Sequence, residues 1–170
     1  MTLQTIFRLF HILAGIMWVG GTVFIAAILL PAARGVGPAS IPMMREMATV
    51  RKLPVYLQSM AGITIVFGLL LAWRDTADEG MKWFEHGIGL YIGFGAVVAV
   101  IAFGYGISVN APAAKKLGAI ATQIQSAGRA PTPEEAQTMK AIQDKMYTAS
   151  RIVAVMLLVA SAAMASARYM

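Results

Sequence analysis

Apolar residues collect into four long runs along the chain, separated by polar connections. Each run is about 20 residues or more, the length a helix needs to cross a hydrocarbon core of ~30 Å at ~1.5 Å per residue. The expected spans are about 3–32, 54–73, 82–109 and 150–167. In lipid every backbone N–H and C=O must be paired within its own segment, so such runs fold as helices. Pro31 is expected to end the first span, and Pro54 suits the first turn of the second. Asn110-Ala111-Pro112 should break the third. The pattern predicts an all-α fold, a four-transmembrane-helix bundle that forms one membrane domain over residues 1–170.

The connections differ in kind. Gly35–Pro42 is a turn-rich linker, followed by a short polar helix carrying Arg45, Glu46, Arg51 and Lys52. Arg74–Gly80 is brief and acidic. The third connection loops at Gly128–Pro133, where Thr132 can cap a helix with Pro133 first and Glu134 and Glu135 in its first turn. No breaker follows, so one long helix should run into the fourth span with its first half in water.

Composition supports the membrane class. Hydrophobic residues make up 58% of the chain and charged residues 13%, against about 25% charged in a typical soluble domain. The apolar run from Ile12 to Ala33 is too long for the core of a secretory signal, and a histidine rather than a lysine cluster flanks it. It is expected to be a span.

Charge placement then sets orientation. The side holding the first and third connections carries Arg34, Arg45, Arg51, Lys52, Lys115, Lys116, Arg129, Lys140, Lys145 and Arg151. The other side carries Arg8, Arg74, Lys82 and Arg168. By the positive-inside rule both termini lie outside, and the fourth helix extends into the cytoplasm. The expected location is the bacterial inner (cytoplasmic) membrane, as a multi-pass protein. The basic residues form no stripe, so nucleic acid is not an expected partner. Cysteine is absent, which removes disulfides, thiolate metal sites and covalent haem attachment through C-x-x-C-H.

The candidate chemistry rests on two histidines, His11 and His86, each near the outer start of an inward-running span. They are expected at similar depth. His11 shares a helix face with Ala14, Gly15, Trp18 and Thr22, and His86 with Gly89, Leu90 and Gly93. Glycines below a buried histidine leave room for a flat macrocycle, and Gly89 and Gly93 equally permit close helix packing. Arg8, one turn above His11, could meet a haem propionate or anchor the chain at the interface. Ionisable residues inside membranes usually have a task, yet a histidine can also simply bond a backbone carbonyl. Trp18 and the Gly20–Gly21 pair suit packing, and Trp73 and Trp83 an aromatic belt. Twelve methionines invite a copper site, since thioethers suit copper(I), but methionine is also ordinary apolar filling. Asp75, Asp78, Glu79 and Glu85 read as a solvated face, and no nucleophile-elbow, P-loop or zinc-protease motif is present.

The segment Phe10-His11-Ile12-Leu13-Ala14-Gly15-Ile16-Met17-Trp18-Val19-Gly20-Gly21 resembles the opening span of the copper resistance protein D superfamily, including HemJ-type protoporphyrinogen oxidases. The order continues with Pro31–Arg34, a basic segment, Pro54, and Trp83-Phe84-Glu85-His86. The resemblance implies a small four-helix membrane protein holding b-type haem or handling copper, with His11 and His86 as its ligands. HemJ proteins carry a lysine shortly after the third-span histidine; here Gly87, Ile88, Gly89 and Leu90 follow, which departs from that oxidase. The leading expectation is a haem b protein with His11 and His86 as axial iron ligands and Arg8, Gly15, Trp18 and Gly89 around the cofactor. It would serve electron transport or act as an oxidoreductase near the outer face, with a redox partner or a quinone. The alternatives are a copper-binding or uptake protein using His11, His86 and Met17, and an accessory subunit of a homo-oligomer or larger membrane complex.

Overall fold

A computed structural model describes residues 2–78 and 80–169, so Glu79 lies outside the described residues. The helices are α1 (Leu3–Val36), α2 (Ile41–Thr49), α3 (Leu53–Asp75), α4 (Gly87–Ser126) and α5 (Pro133–Ser166). Four of them, α1, α3, α4 and α5, are long and apolar enough to cross a membrane. No strand occurs among the described residues.

Two proline positions run against the expectation. Helix α1 continues past Pro31 to Val36, and residues Ile25–Leu29 just before the proline form a π-helical turn. Pro31 has no N–H to give the preceding turn, and a widened turn takes up that mismatch without ending the helix. Helix α4 likewise passes through Asn110-Ala111 and Pro112 to Ser126, so the predicted break is a continuous helix. One backbone bond is lost there, while Ala111, Ala113, Ala114, Lys115 and Lys116 all favour the helix. At 40 residues, α4 is about 60 Å long, twice the hydrocarbon thickness. Its C-terminal half therefore extends beside the first half of α5, where only α5 was expected to project.

The start of α4 also differs. The helix begins at Gly87, not Lys82; Gly80–Glu85 form a 3-10 segment, and His86 is extended at φ −149° and ψ 164°. A Cβ on Gly89 would sit 1.8 Å from the Trp83 carbonyl oxygen, and one on Gly93 would sit 2.8 Å from the Phe84 ring. The missing side chains of these glycines make room for Trp83 and Phe84 of the same chain. Trp83 accordingly packs edge-on against Phe84 at 5.0 Å, whereas Trp73 stands 72% exposed at the end of α3.

The spans pair as two antiparallel hairpins, α1 with α3 and α4 with α5, and α1 also lies along α5. Gly21 lets Leu57 of α3 approach to 2.7 Å of where a Cβ would be, and Gly95 does the same for Ala160 and Met164 of α5. All four spans meet at one level, where Trp18, Ala61, Ala102, Val153 and Leu157 form the buried core. The Trp18 indole sits edge-on to Phe103 at 6.0 Å. The two ends are tied differently. Gln4 donates to Asp75 at 3.1 Å where α1 starts and α3 ends. At the opposite end Arg34 pairs with Asp144 and stacks 4.6 Å over Tyr147, and Arg45 of α2 bonds Gln125 of α4. The basic connections thus share one end of the molecule.

Between the core and α2 lies a cavity of about 240 Å³, roofed by Trp18 and Phe103 and floored by Met44 and Met47. Asn110 lines it, and its buried side-chain oxygen has no hydrogen-bond partner. An unmade bond of that kind costs about 1–3 kcal/mol.

The expected cap of α5 forms in full. The Thr132 hydroxyl accepts from the Glu135 N–H at 3.2 Å, and the Glu135 carboxylate accepts from the Thr132 N–H at 2.8 Å. Arg129 adds two bonds to the same carboxylate, both 2.7 Å. These bonds, first from Arg129 and then from the Thr132 backbone, hold the Glu135 carboxyl at about 2 against an ordinary 4.5. A depressed folded value means the stabilisation is whole above 4.5 and is lost as pH falls towards 2. The amide resonances of Thr132 and Glu135 should therefore hold steady from neutral pH down to about 5 and titrate with a midpoint near 2. A midpoint near 4.5 would show that the box and the Arg129 fork do not form.

Candidate functional site

Helix α1 brings its small and polar stripe against α3, and His11 is the titratable member of that stripe. The ring is partly buried, and its Nδ1 lies 2.8 Å from the Thr64 carbonyl oxygen of α3. A carbonyl oxygen only accepts, so Nδ1 carries the hydrogen and Nε2 is the ring nitrogen left for another partner. The approach depends on Gly68. A Cβ there would stand 3.0 Å from His11 Cε1 and 3.1 Å from Nδ1, tight enough that the ring would have to shift by a few tenths of an ångström. One turn deeper the pairing is reversed: Gly15 of α1 faces Thr64, with 3.6 Å from the position of its Cβ to Thr64 Cγ2. His11 and Gly15 thus lie four residues apart on one helix, opposite Gly68 and Thr64 four residues apart on the other. The Thr64 hydroxyl is turned back onto the Met60 carbonyl at 2.7 Å, which leaves the Thr64 carbonyl to His11.

Aromatic rings from both helices meet nearby. Phe67, next to Gly68, stacks on Phe10 at 4.9 Å and tilts against Phe7 at 5.8 Å. Arg8, three residues before His11, is exposed. Trp18 is 5% exposed and belongs to the core.

His86 is elsewhere. It is exposed, precedes α4 and shares no helix face with Gly89, Leu90 or Gly93. The Trp18–Phe103 contact sets α1 and α4 in register. His11 is seven residues outward of Trp18, and His86 is seventeen outward of Phe103. The ten-residue difference is about 15 Å of helix, so the two imidazoles do not share a depth. Helices α1 and α4 are also not a packed pair; α1 packs on α3 and α5. The structure does not bring the two rings together. Met17, the third ligand of the copper alternative, is 52% exposed on the outer surface of α1. Among the described residues no group of three or more His, Asp or Glu side chains is placed to hold one metal ion.

Thr64 and Gly68 escaped sequence reading. They lie more than fifty residues from His11 in a run without polar punctuation, and only a Thr-x-x-x-Gly spacing mirrors His-x-x-x-Gly. Comparison with family models, with curated proteins and with solved structures finds no match.

The tautomer is directly measurable. In histidine-labelled protein, nitrogen NMR of neutral His11 should show Nδ1 protonated and Nε2 bare, and Gly68→Ala should collapse that preference by displacing the ring. A bare Nδ1 in the unmodified chain would contradict the Thr64 bond.

Proposed function

We propose that this chain is a haem b protein of the bacterial cytoplasmic membrane in which His11 alone supplies the axial nitrogen, near the outer face. The observation that carries this reading is the His11–Thr64 bond. Ligating histidines characteristically donate their second ring N–H to a carbonyl, which fixes the tautomer and strengthens the metal-facing nitrogen. The likeness of Phe10–Gly21 to the copper resistance protein D superfamily supports the same residue.

The remaining residues fit this role unequally. Phe7, Phe10 and Phe67 form an aromatic cluster on the same two helices. Arg8 lies one turn outward, where a carboxylate would meet it at the interface. Gly89 and His86 do not fit, since Trp83 fills the space beside the first and the second is about 15 Å out of register. Haem held at His11 would supply one-electron chemistry, and this reading favours an oxidoreductase reaction over simple electron transfer. The chain's own part is to fix the imidazole, shield it on the α3 side and hold it within the outer leaflet.

Ten basic residues at the end bearing α2 and the α4–α5 loop, against four at the end bearing the termini, support an orientation with both termini outside.

Two experiments test these statements. Purified full-length protein supplied with haem should show a Soret band that His11→Ala abolishes and His86→Ala leaves intact. Absence of the band from the unmodified chain would overturn the haem reading; copper in its place on metal analysis, again lost with His11→Ala, would establish the copper alternative. Loss of the band in both variants would restore two-histidine ligation. Because the chain has no cysteine, single thiols report sidedness cleanly. Asp78→Cys should react with an impermeant maleimide in intact cells, and Ala130→Cys only after permeabilisation; the reverse would invert the orientation.

A further inference from the structure

Arg34 and Arg151 close two apolar runs at the same end of the molecule. Arg34 is the first charged residue after the apolar stretch of α1, and Arg151 is the last before that of α5. Their guanidinium carbons lie 4.6 Å and 5.5 Å from the centroid of one ring, that of Tyr147. The ring attracts each cation but brings no charge to cancel them. Asp144 pairs with Arg34, whose side chain stays partly exposed. Arg151 is exposed and has no carboxylate partner among the described residues. Two cations and one anion leave one positive charge in excess, at the boundary between apolar span and polar connection. A guanidinium has five N–H donors in a planar fork that matches a phosphate, so Arg34 keeps donors after meeting Asp144.

The surface that continues from Arg151 bears on where such a phosphate comes from. Val155, Leu158 and Val159 follow it at four, seven and eight residues, on one helix face, and all three are exposed. The stripe leads from the arginine into the apolar span, so a headgroup held at its end would lay an acyl chain along it. A free phosphate gains nothing from that stripe. The excess positive charge also favours a net anionic headgroup over a zwitterionic one, whose own ammonium already accompanies its phosphate. We propose that Arg34, Arg151 and Tyr147 form a binding site for the headgroup phosphate of an anionic phospholipid, with an acyl chain along Val155, Leu158 and Val159. The site is independent of His11 and of which face of the membrane is outward.

Native mass spectrometry of the full chain in detergent micelles tests the site. The probes are dioleoyl phosphatidylglycerol, dioleoyl phosphatidylcholine with the same chains, and soluble glycerol phosphate. Phosphatidylglycerol should be retained about tenfold or more tightly than phosphatidylcholine, and glycerol phosphate should not displace it. Arg151→Gln leaves the Arg34–Asp144 pair intact and should weaken phosphatidylglycerol about fivefold, the effect of one basic residue facing an anionic headgroup, with phosphatidylcholine unchanged. Lys140→Gln removes the same charge from α5, seven residues before Tyr147, and should leave both lipids as they were. Arg34→Gln combined with Arg151→Gln should abolish the preference; should that variant fail to fold, Arg151→Gln against Lys140→Gln still decides. Equal retention of the two lipids, or the same loss from Lys140→Gln as from Arg151→Gln, would overturn the proposal and leave the arginines to general surface charge or an acidic protein. Displacement by glycerol phosphate would overturn it in favour of a free phosphate.

Discussion

Lipid tails are as apolar as leucine, so burying a side chain between spans gains little of the transfer energy that folds soluble domains. What remains is close contact, and close contact between helices needs small residues. The bundle depends on that constraint. Gly15, Gly21 and Gly68 bring α1 and α3 together, Gly95 brings α4 to α5, and Ala61 and Ala102 let four helices converge on one indole. Trp18 is the largest group at that junction and touches what the small residues leave open. Enlarging any of the alanines would part the hairpins, because a packed core has no slack to absorb a methyl group without a shift.

The same economy couples structure to chemistry at His11. Its bond to Thr64 ties two helices together in a medium with few polar partners, and it also decides which ring nitrogen keeps a lone pair. A single contact serves both purposes, so stability measurements on His11 variants cannot separate them, while tautomer-sensitive and spectroscopic ones can. Gly68 belongs to this unit as fully as the histidine does, although it carries no functional group.

The spans, their number, the α5 cap and the basic character of one end were all legible in the sequence, because each rests on local signals: run length, a Thr-Pro-Glu-Glu start, and charge counts. Helix ends at proline were not. A proline rule drawn from water assumes that freed carbonyls turn to solvent; in long apolar helices, neighbours and altered turns keep the helix going past Pro31 and Pro112. The placement of His86 was not legible for a different reason. His86 was placed inside a helix that begins one residue later, and a few residues at a helix start move a side chain from a packed face to an exposed coil. Gly89 and Gly93 looked like vacant space because the sequence cannot show Trp83 and Phe84 folding back over them.

The π turn at Ile25–Leu29 has a geometric consequence for the whole of α1. One additional residue in a turn rotates everything beyond it by about 100° relative to an unbroken helix. Before that turn, the stripe of His11, Gly15 and Gly21 addresses α3; after it, Arg34 addresses Asp144 and Tyr147 of α5. The first span is thus an axle with two offset cams. The extra residue lets one continuous rod mate with different neighbours in its two halves, and it marks the place where twisting of one half can be taken up without dragging the other.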